Sequence, residues 1–134
     1  MSAKWLVKHL QGEKITVFET SGLYSPEDSS KLMGEILSVD RDAEQTGILI
    51  DHRAAEVKFG TLDIYNCPKL YAGQSRLMKL RVAFLFRAIG PDEQFYETVC
   101  RNSGYAIRVF DDYDKSLAWL LKAEGPEGGK PGPA

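Results

Sequence analysis

The sequence predicts a single α/β domain built on a single-layer mixed, mostly parallel β-sheet flanked by helices, in the order β-β-α-β-α-β-α-β-α. Short apolar or alternating runs, typical of strands, alternate along the chain with amphipathic segments, typical of helices. After an initial hairpin, a helix-length segment separates each strand from the next, which is the spacing of parallel strands joined by right-handed crossovers. With 134 residues, 43% of them hydrophobic, the chain can bury the core of one domain and has no room for a second domain.

The first two strands form a predicted antiparallel hairpin. Trp5 to Leu10 alternates apolar and polar side chains, as a strand near a sheet edge does. Ile15 to Leu23 is rich in β-branched and aromatic residues, and only a short polar turn separates it from the first run. The first helix follows, with Ser25 as its cap and Pro26 at its first position, and it runs to about Val39.

Three later runs are predicted parallel strands. Gly47 to Asp51 is a continuous apolar run closed by an acid, which indicates the central strand, and a loop through Arg53 and Phe59 should follow it. Leu80 to Arg87 and Ala106 to Phe110 are the other two.

Three further helices join and follow these strands. Gly60 and Thr61 can cap a helix that begins at Leu62, but Pro68 should kink it or divide it into two short helices before Gln74. The next helix begins at Pro91 and stops before Gly104, and Asp111 or Asp112 caps the last one.

We expect residues 1–123 to form the domain and residues 124–134, rich in glycine and proline, to be a disordered tail. The two cysteines, Cys67 and Cys100, both fall in predicted helices and should be reduced thiols. No run resembles a signal peptide or a spanning helix, so we expect a cytoplasmic protein without membrane insertion. With 17 basic and 19 acidic residues, no overall field favours nucleic acid.

No catalytic motif is present in the sequence, which predicts a non-enzymatic protein with no catalytic residues. It contains no glycine-rich phosphate loop, no nucleophile elbow and no paired-histidine zinc motif. The two histidines, His9 and His52, have no cysteine at metal-ligand spacing, so neither a metal nor another cofactor is expected.

The predicted strand ends supply one candidate binding site. Asp51 and Arg53 follow the central strand, and Arg87 and Asp111 end its neighbours. Ligands of open α/β sheets bind beyond the carboxyl ends of the strands, so these four residues could line a crevice. The alternative is that Asp51 makes a structural ion pair with Arg53 or Arg87.

Thr61 and a group of aromatic residues are two further candidates. A hydroxyl at a helix N-terminus can cap the helix, and a phosphate placed there would be stabilised by the free N–H groups. Phe59, Tyr65 and Tyr71 could line a pocket, although aromatic residues at this spacing more often belong to a core.

The element order, the run Gly47-Ile48-Leu49-Ile50-Asp51-His52-Arg53 and the closing strand and helix resemble the SpoIIAA-like (STAS-like) family of small bacterial proteins. The closing helix contains Leu117-Ala118-Trp119-Leu120, the most specific part of the resemblance. The resemblance implies a mixed sheet flanked by helices. In the better-known STAS branch it also implies binding to a partner kinase and a switch by phosphorylation of a loop serine. Here Thr61 lies near the equivalent place, in a loop that reads Val57-Lys58-Phe59-Gly60-Thr61.

Two functions remain open from the sequence. The first is a regulatory or protein-interaction module that binds another protein or forms a homodimer. The second is a small-molecule, nucleotide or lipid-binding protein that uses the crevice at the strand ends.

Overall fold

The computed structural model of the protein describes residues 3–10, 14–41, 47–70 and 80–121, and of residues 37–41 and 67–70 only the backbone. The predicted element order is confirmed. Its strands are β1 (Lys4–Leu10), β2 (Ile15–Tyr24), β3 (Gly47–Val57), β4 (Arg81–Leu85) and β5 (Ala106–Phe110). Its helices are α1 (Pro26–Arg41), α2 (Thr61–Leu70), α3 (Pro91–Asn102) and α4 (Tyr113–Leu121).

The described strands form one five-stranded sheet in the order β1-β2-β3-β4-β5. β1 pairs with β2 antiparallel, and the other neighbouring pairs are parallel. The mixed, mostly parallel sheet is therefore as predicted, with β3 at its centre. Because β2, β3 and β4 are parallel neighbours, their carboxyl ends lie at the same edge of the sheet.

β3 is longer than predicted, because the expected loop after Asp51 continues as strand to Val57. Beyond the end of β4 this extension keeps β2 as its partner, from the pair Ser21 and Ala54 to the pair Tyr24 and Val57. The register shifts between Glu19 and Ser21, so that two residues of β3 lie opposite one of β2. This β-bulge, formed by His52 and Arg53 opposite Thr20, is an uncommon feature in a parallel pair.

Each face of the sheet has its own core. The first face, beneath α1, α2 and α3, buries residues that include Phe18, Ile48, Ile50, Phe84 and Cys100. The second face, beneath α4, buries Ile15, Val17, Leu49, Leu85, Trp119 and Leu120 among others. Consecutive residues of a strand point to opposite faces, so Asp51 lies on the second face and His52 on the first.

Local hydrogen bonds fix the helix starts that the sequence predicts. Ser25 and Asp28 form a reciprocal capping box at α1, in which Ser25 N donates to Asp28 Oδ2 at 2.9 Å and Asp28 N donates to Ser25 Oγ at 3.3 Å. At α3 the Gly90 N–H donates to Glu93 Oε1 at 2.8 Å. After α3, Gly104 adopts a φ of 98°, a left-handed conformation that glycine takes without steric cost.

α2 begins one residue earlier than expected, at Thr61. Its backbone stays helical through Pro68 to Leu70, so it is not divided into two helices within the described residues, and residues 71–74 of the expected stretch lie outside them. Ile64 N donates to Gly60 O at 3.1 Å, so Gly60 is the cap and Thr61 is the first helical residue. Thr61 is exposed there and does not itself cap the helix.

Some expectations fall outside the described residues, namely the disordered tail, the state of the Cys67 side chain and the position of Tyr71. Cys100 is buried and forms no disulfide with any described residue. None of the described helices is long and apolar enough to cross a membrane.

Candidate functional site

A cavity of about 80 Å³ lies at the carboxyl ends of β2, β3 and β4, on the first face of the sheet. The first turns of three helices close it from the other side. This aromatic cavity, as we call it below, is lined by Tyr24, Ser29, His52, Val57, Phe59, Ile64, Phe84, Phe86, Asp92, Glu93 and Tyr96. It lies where open α/β sheets bind ligands, because the strand ends and helix starts leave a crevice there.

His52 is the polar group in the wall of the aromatic cavity that lies deepest. It is 3% exposed and contacts three aromatic rings. Its ring centroid lies 4.4 Å from that of Tyr24, 5.8 Å from Phe84 and 5.5 Å from Phe86. Burial among apolar rings disfavours the charged imidazolium and lowers the pKa of His52 to about 4, although Asp51 acts in the opposite direction. His52 is therefore neutral near pH 7.

Thr20 holds the imidazole in place. Its Oγ1 lies 2.6 Å from His52 Nδ1 and donates to the main-chain oxygen of Asp51 at 3.1 Å. Thr20 is 2% exposed, so no water competes for its hydroxyl. The bulge brings these groups together, because it sets both His52 and Arg53 opposite Thr20. Among the described residues, Nε2 of His52 has no hydrogen-bond partner.

Further aromatic rings complete the wall. Phe59 stacks on Tyr24 with centroids 6.2 Å apart, and Tyr96 packs edge-on against Phe84 at 5.1 Å. Rings fixed at such angles give a cavity with flat, apolar sides.

The polar part of the cavity wall carries negative charge. Asp92 and Glu93 contribute that charge from the first turn of α3, and Ser29, in the first turn of α1, adds a neutral hydroxyl. Among the described residues, no lysine or arginine lines the aromatic cavity. An anionic group there would meet two carboxylates without a compensating cation.

Of the four predicted site residues, the structure joins two by direct hydrogen bonds. Asp51 and Arg53 are brought together, with Arg53 Nε and Nη2 donating to Asp51 at 3.0 and 2.9 Å and the Arg53 N–H donating at 3.0 Å. These bonds and the guanidinium charge lower the pKa of Asp51, against the effect of its burial. Arg87 and Asp111 are exposed, and neither bonds to this pair within the described residues.

The Asp51–Arg53 pair has the geometry of the structural alternative that the sequence leaves open. The Asp51 side chain is 8% exposed, and Arg53 continues across the second face to lie 5.6 Å from the ring centroid of Tyr113. The pair thus ties the middle of β3 to Tyr113, the first residue of α4. Asp111 instead lines a separate groove beside α4, together with Arg108, Lys115 and Trp119.

Sequence reasoning missed the residues that build the aromatic cavity. In the sequence, His52 is weighed as a metal ligand and not as a cavity residue. Its position two residues after Ile50 and four after Ile48, both buried on the first face, is the signal that could have found it. Of the predicted aromatic group, Phe59 lines the cavity while Tyr65 is 52% exposed.

Comparisons with known proteins identify the type of fold. No family model and no curated protein matches the chain. A solved structure does: an uncharacterised protein of the DUF3478 family from Shewanella loihica PV-4, described as having a SpoIIAA-like fold. The match has a TM-score of 0.57 at 18% identity and covers 89% of this chain and 93% of that one. The likeness confirms the resemblance at the level of architecture: this chain has a SpoIIAA-like fold.

Proposed function

We propose that the protein is a non-catalytic module that binds a small, mainly apolar molecule in the aromatic cavity. The observation that carries the proposal is the cavity itself: aromatic walls, one neutral buried histidine and a position at the carboxyl ends of three parallel strands. Ligand sites combine a mostly apolar lining with a few oriented polar groups in this way. A volume of about 80 Å³ suits a single-ring compound rather than a long lipid chain.

The arrangement around His52 favours binding over catalysis. The hydroxyl of Thr20 is the group nearest to the imidazole, and a nucleophile activated by histidine would donate its proton to that ring. Here the hydroxyl donates to the main-chain oxygen of Asp51 at 3.1 Å. Thr20 therefore positions the ring and is not an activated nucleophile.

Thermal unfolding with a panel of single-ring aromatic compounds tests this function. A compound that binds only the folded protein must raise the melting temperature. Val57→Phe places a larger side chain in the half-buried cavity wall and should reduce the shift. Leu23→Phe, on the neighbouring strand at a position that does not line the cavity, is the matched control. A panel without any shift in the wild type, or equal shifts in Val57→Phe, would contradict the proposal.

A second candidate role, self-association, is supported by β1. This strand is an edge of the described sheet, and it exposes Leu6 (67%) and Val7 (40%) on its two faces. An exposed edge with apolar side chains is a template for pairing with another strand. Antiparallel pairing of two copies about Val7 would set Leu6 opposite Lys8 and Lys4 opposite Leu10, so no lysine faces a lysine. A second copy of the chain is therefore the partner we propose.

Sedimentation velocity over a concentration series tests the pairing. We expect a dimer that Val7→Lys weakens, because two ammonium groups would then meet at the centre. Leu62→Lys, which adds the same charge at an exposed leucine of α2, should leave the dimer intact. A wild-type chain that sediments as a monomer at every concentration would remove this role.

A further inference from the structure

The hydrogen-bonding pattern around Thr20 determines which imidazole nitrogen of His52 carries the proton. A hydroxyl has one hydrogen, and Thr20 Oγ1 contacts both the Asp51 main-chain oxygen at 3.1 Å and His52 Nδ1 at 2.6 Å. A carbonyl oxygen can only accept, so it receives the hydroxyl proton. The hydroxyl oxygen must then accept, which requires a proton on Nδ1.

A neutral imidazole protonated on Nδ1 leaves Nε2 as a bare acceptor. His52 lines the aromatic cavity and, among the described residues, Nε2 has no hydrogen-bond partner. A molecule that fills the cavity without a donor would leave this acceptor unpaired, so a molecule that supplies one gains affinity. Aromatic rings surround His52 in the cavity wall, and they favour a flat, apolar body for that molecule.

Charge sets the remaining requirement. Asp92 and Glu93 lie at the cavity, and no cation lines it within the described residues. The N-terminus of α3, which would otherwise favour an anion, already carries these two acids in its first turn, and Glu93 accepts from Gly90 N. Carboxylates and phosphates therefore find no favourable partner here.

We propose that the aromatic cavity selects uncharged aromatic compounds that carry an O–H or N–H donor, and that this donor bonds to Nε2 of His52. The proposal rests on the proposed binding function and names the class of ligand. Phenols and indoles are uncharged and carry a donor. Benzoates are negatively charged, and alkylbenzenes have no O–H or N–H donor.

Three probes of similar size separate these requirements: phenol, toluene and benzoate, measured by titration calorimetry at pH 7. Phenol should bind the wild type roughly 3- to 10-fold more tightly than toluene, the contribution of one hydrogen bond. Benzoate should bind more weakly than either. His52→Phe keeps an aromatic ring but removes the acceptor, so the variant should no longer distinguish phenol from toluene.

The outcomes separate this inference from the binding function. Equal affinity for phenol and toluene in the wild type, or the tightest binding by benzoate, overturns the ligand class and leaves a binding cavity standing. The absence of binding by all three overturns both.

A measurement on the wild type keeps the test independent of the folding of His52→Phe. Nitrogen-15 NMR of the imidazoles distinguishes a protonated from an unprotonated ring nitrogen, and His9→Gln identifies the His52 signals because the chain has only two histidines. We expect a protonated Nδ1, an unprotonated Nε2 and a shift of the Nε2 resonance on addition of phenol. A protonated Nε2, or no shift at saturating phenol, overturns the inference.

Discussion

At the scale of single residues, His52 and the Asp51–Arg53 pair show two ways in which a buried ionisable side chain is stabilised. His52 stays uncharged, and its Nδ1 bonds to a buried hydroxyl. Asp51, on the opposite face of the same strand, keeps its charge because three N–H groups of Arg53 donate to it. Both devices give testable consequences for stability.

The first consequence is a dependence of stability on pH. The pKa of His52 is about 4 in the folded protein and about 6.5 when the group is exposed, so the unfolded chain binds the proton more readily. The free energy of unfolding should be constant above pH 6.5 and fall by up to about 3 kcal/mol as the pH drops towards 4. Urea denaturation at a series of pH values measures it.

The control for this effect is His9→Gln, in which His52 is the remaining histidine. The loss of stability between pH 6.5 and 4 should persist there and be absent from His52→Phe. The pKa values of Asp28 and Asp51 are lowered, so the stability that these carboxylates contribute is lost at lower pH than that of His52. A flat profile in His9→Gln would show that His52 is not buried as described.

The second consequence concerns Arg53→Met. Removing the guanidinium leaves the buried Asp51 carboxylate with one main-chain donor, which should lower the free energy of unfolding by roughly 1–2 kcal/mol and raise the pKa of Asp51. Lys58→Met, which removes an ion pair with Glu56 whose side chains are 60% and 64% exposed, should change it by less than about 0.5 kcal/mol. Equal effects would contradict a structural role for the Asp51–Arg53 pair.

Sequence alone predicts part of this residue-scale picture. The cluster around Asp51 is visible because three polar residues follow an apolar run, and pairing with Arg53 was one of the stated alternatives. The environment of His52 was not predictable, because Tyr24, Phe84 and Phe86 come from other strands and meet it only in the folded sheet.

At the scale of elements, the close approach of α4 to β3 depends on Gly47. A Cβ added there would lie 3.1 Å from Leu120 Cδ2 and 3.4 Å from Leu120 Cβ, closer than side chains normally pack. Gly47→Ala should therefore lower the free energy of unfolding by about 1 kcal/mol or more.

The matched control is Gly34→Ala, in the interior of α1. A Cβ there meets nothing within 4 Å, and alanine favours the helix, so this variant should be more stable by roughly 0.5–1 kcal/mol. Chemical denaturation of both variants checks the opposite signs. Stabilisation by Gly47→Ala would mean that α4 does not pack as closely as described.

Element starts were better predicted than element ends. Ser25 and Pro26 fix the beginning of α1 by local hydrogen bonding, which the sequence displays directly. The end of β3 depends instead on its partner: residues after Asp51 stay extended because the second half of β2 pairs with them. The polar residues of that stretch look like a loop when the partner is not considered.

At the scale of the whole molecule, the sheet is shared by two separate cores. Trp5 lies on the first face, where its Nε1 donates to Glu35 at 3.0 Å, and Trp119 is buried in the second. Because every described helix packs on the same five strands, we expect the two cores to unfold together.

Single-tryptophan variants test this cooperativity. In Trp5→Phe and in Trp119→Phe, the midpoint from the remaining tryptophan's fluorescence should coincide with the midpoint from far-ultraviolet circular dichroism. A difference between the two probes within one variant would show that one core unfolds before the other.

The order of the elements could be predicted because apolar periodicity and helix-start residues alternate so regularly. The location of the cavity could be predicted only to the correct edge of the sheet. The face of the sheet on which the cavity forms depends on which helices pack there. That α1, α2 and α3 cover one face and α4 the other is settled only in the folded molecule.

The bulge opposite Thr20 restricts which sequence changes β3 can accept during evolution. Before the bulge the even-numbered residues of β3 face the first side of the sheet, and after it the odd-numbered residues do. Ile48, Ile50 and His52 therefore share a face with Ala55 and Val57. Deleting one of the two bulged residues would leave a regular strand in which Val57 still faces the cavity, whereas a one-residue change in length after an intact bulge would turn Val57 away from it. The second half of β3 should therefore tolerate substitutions more readily than insertions or deletions.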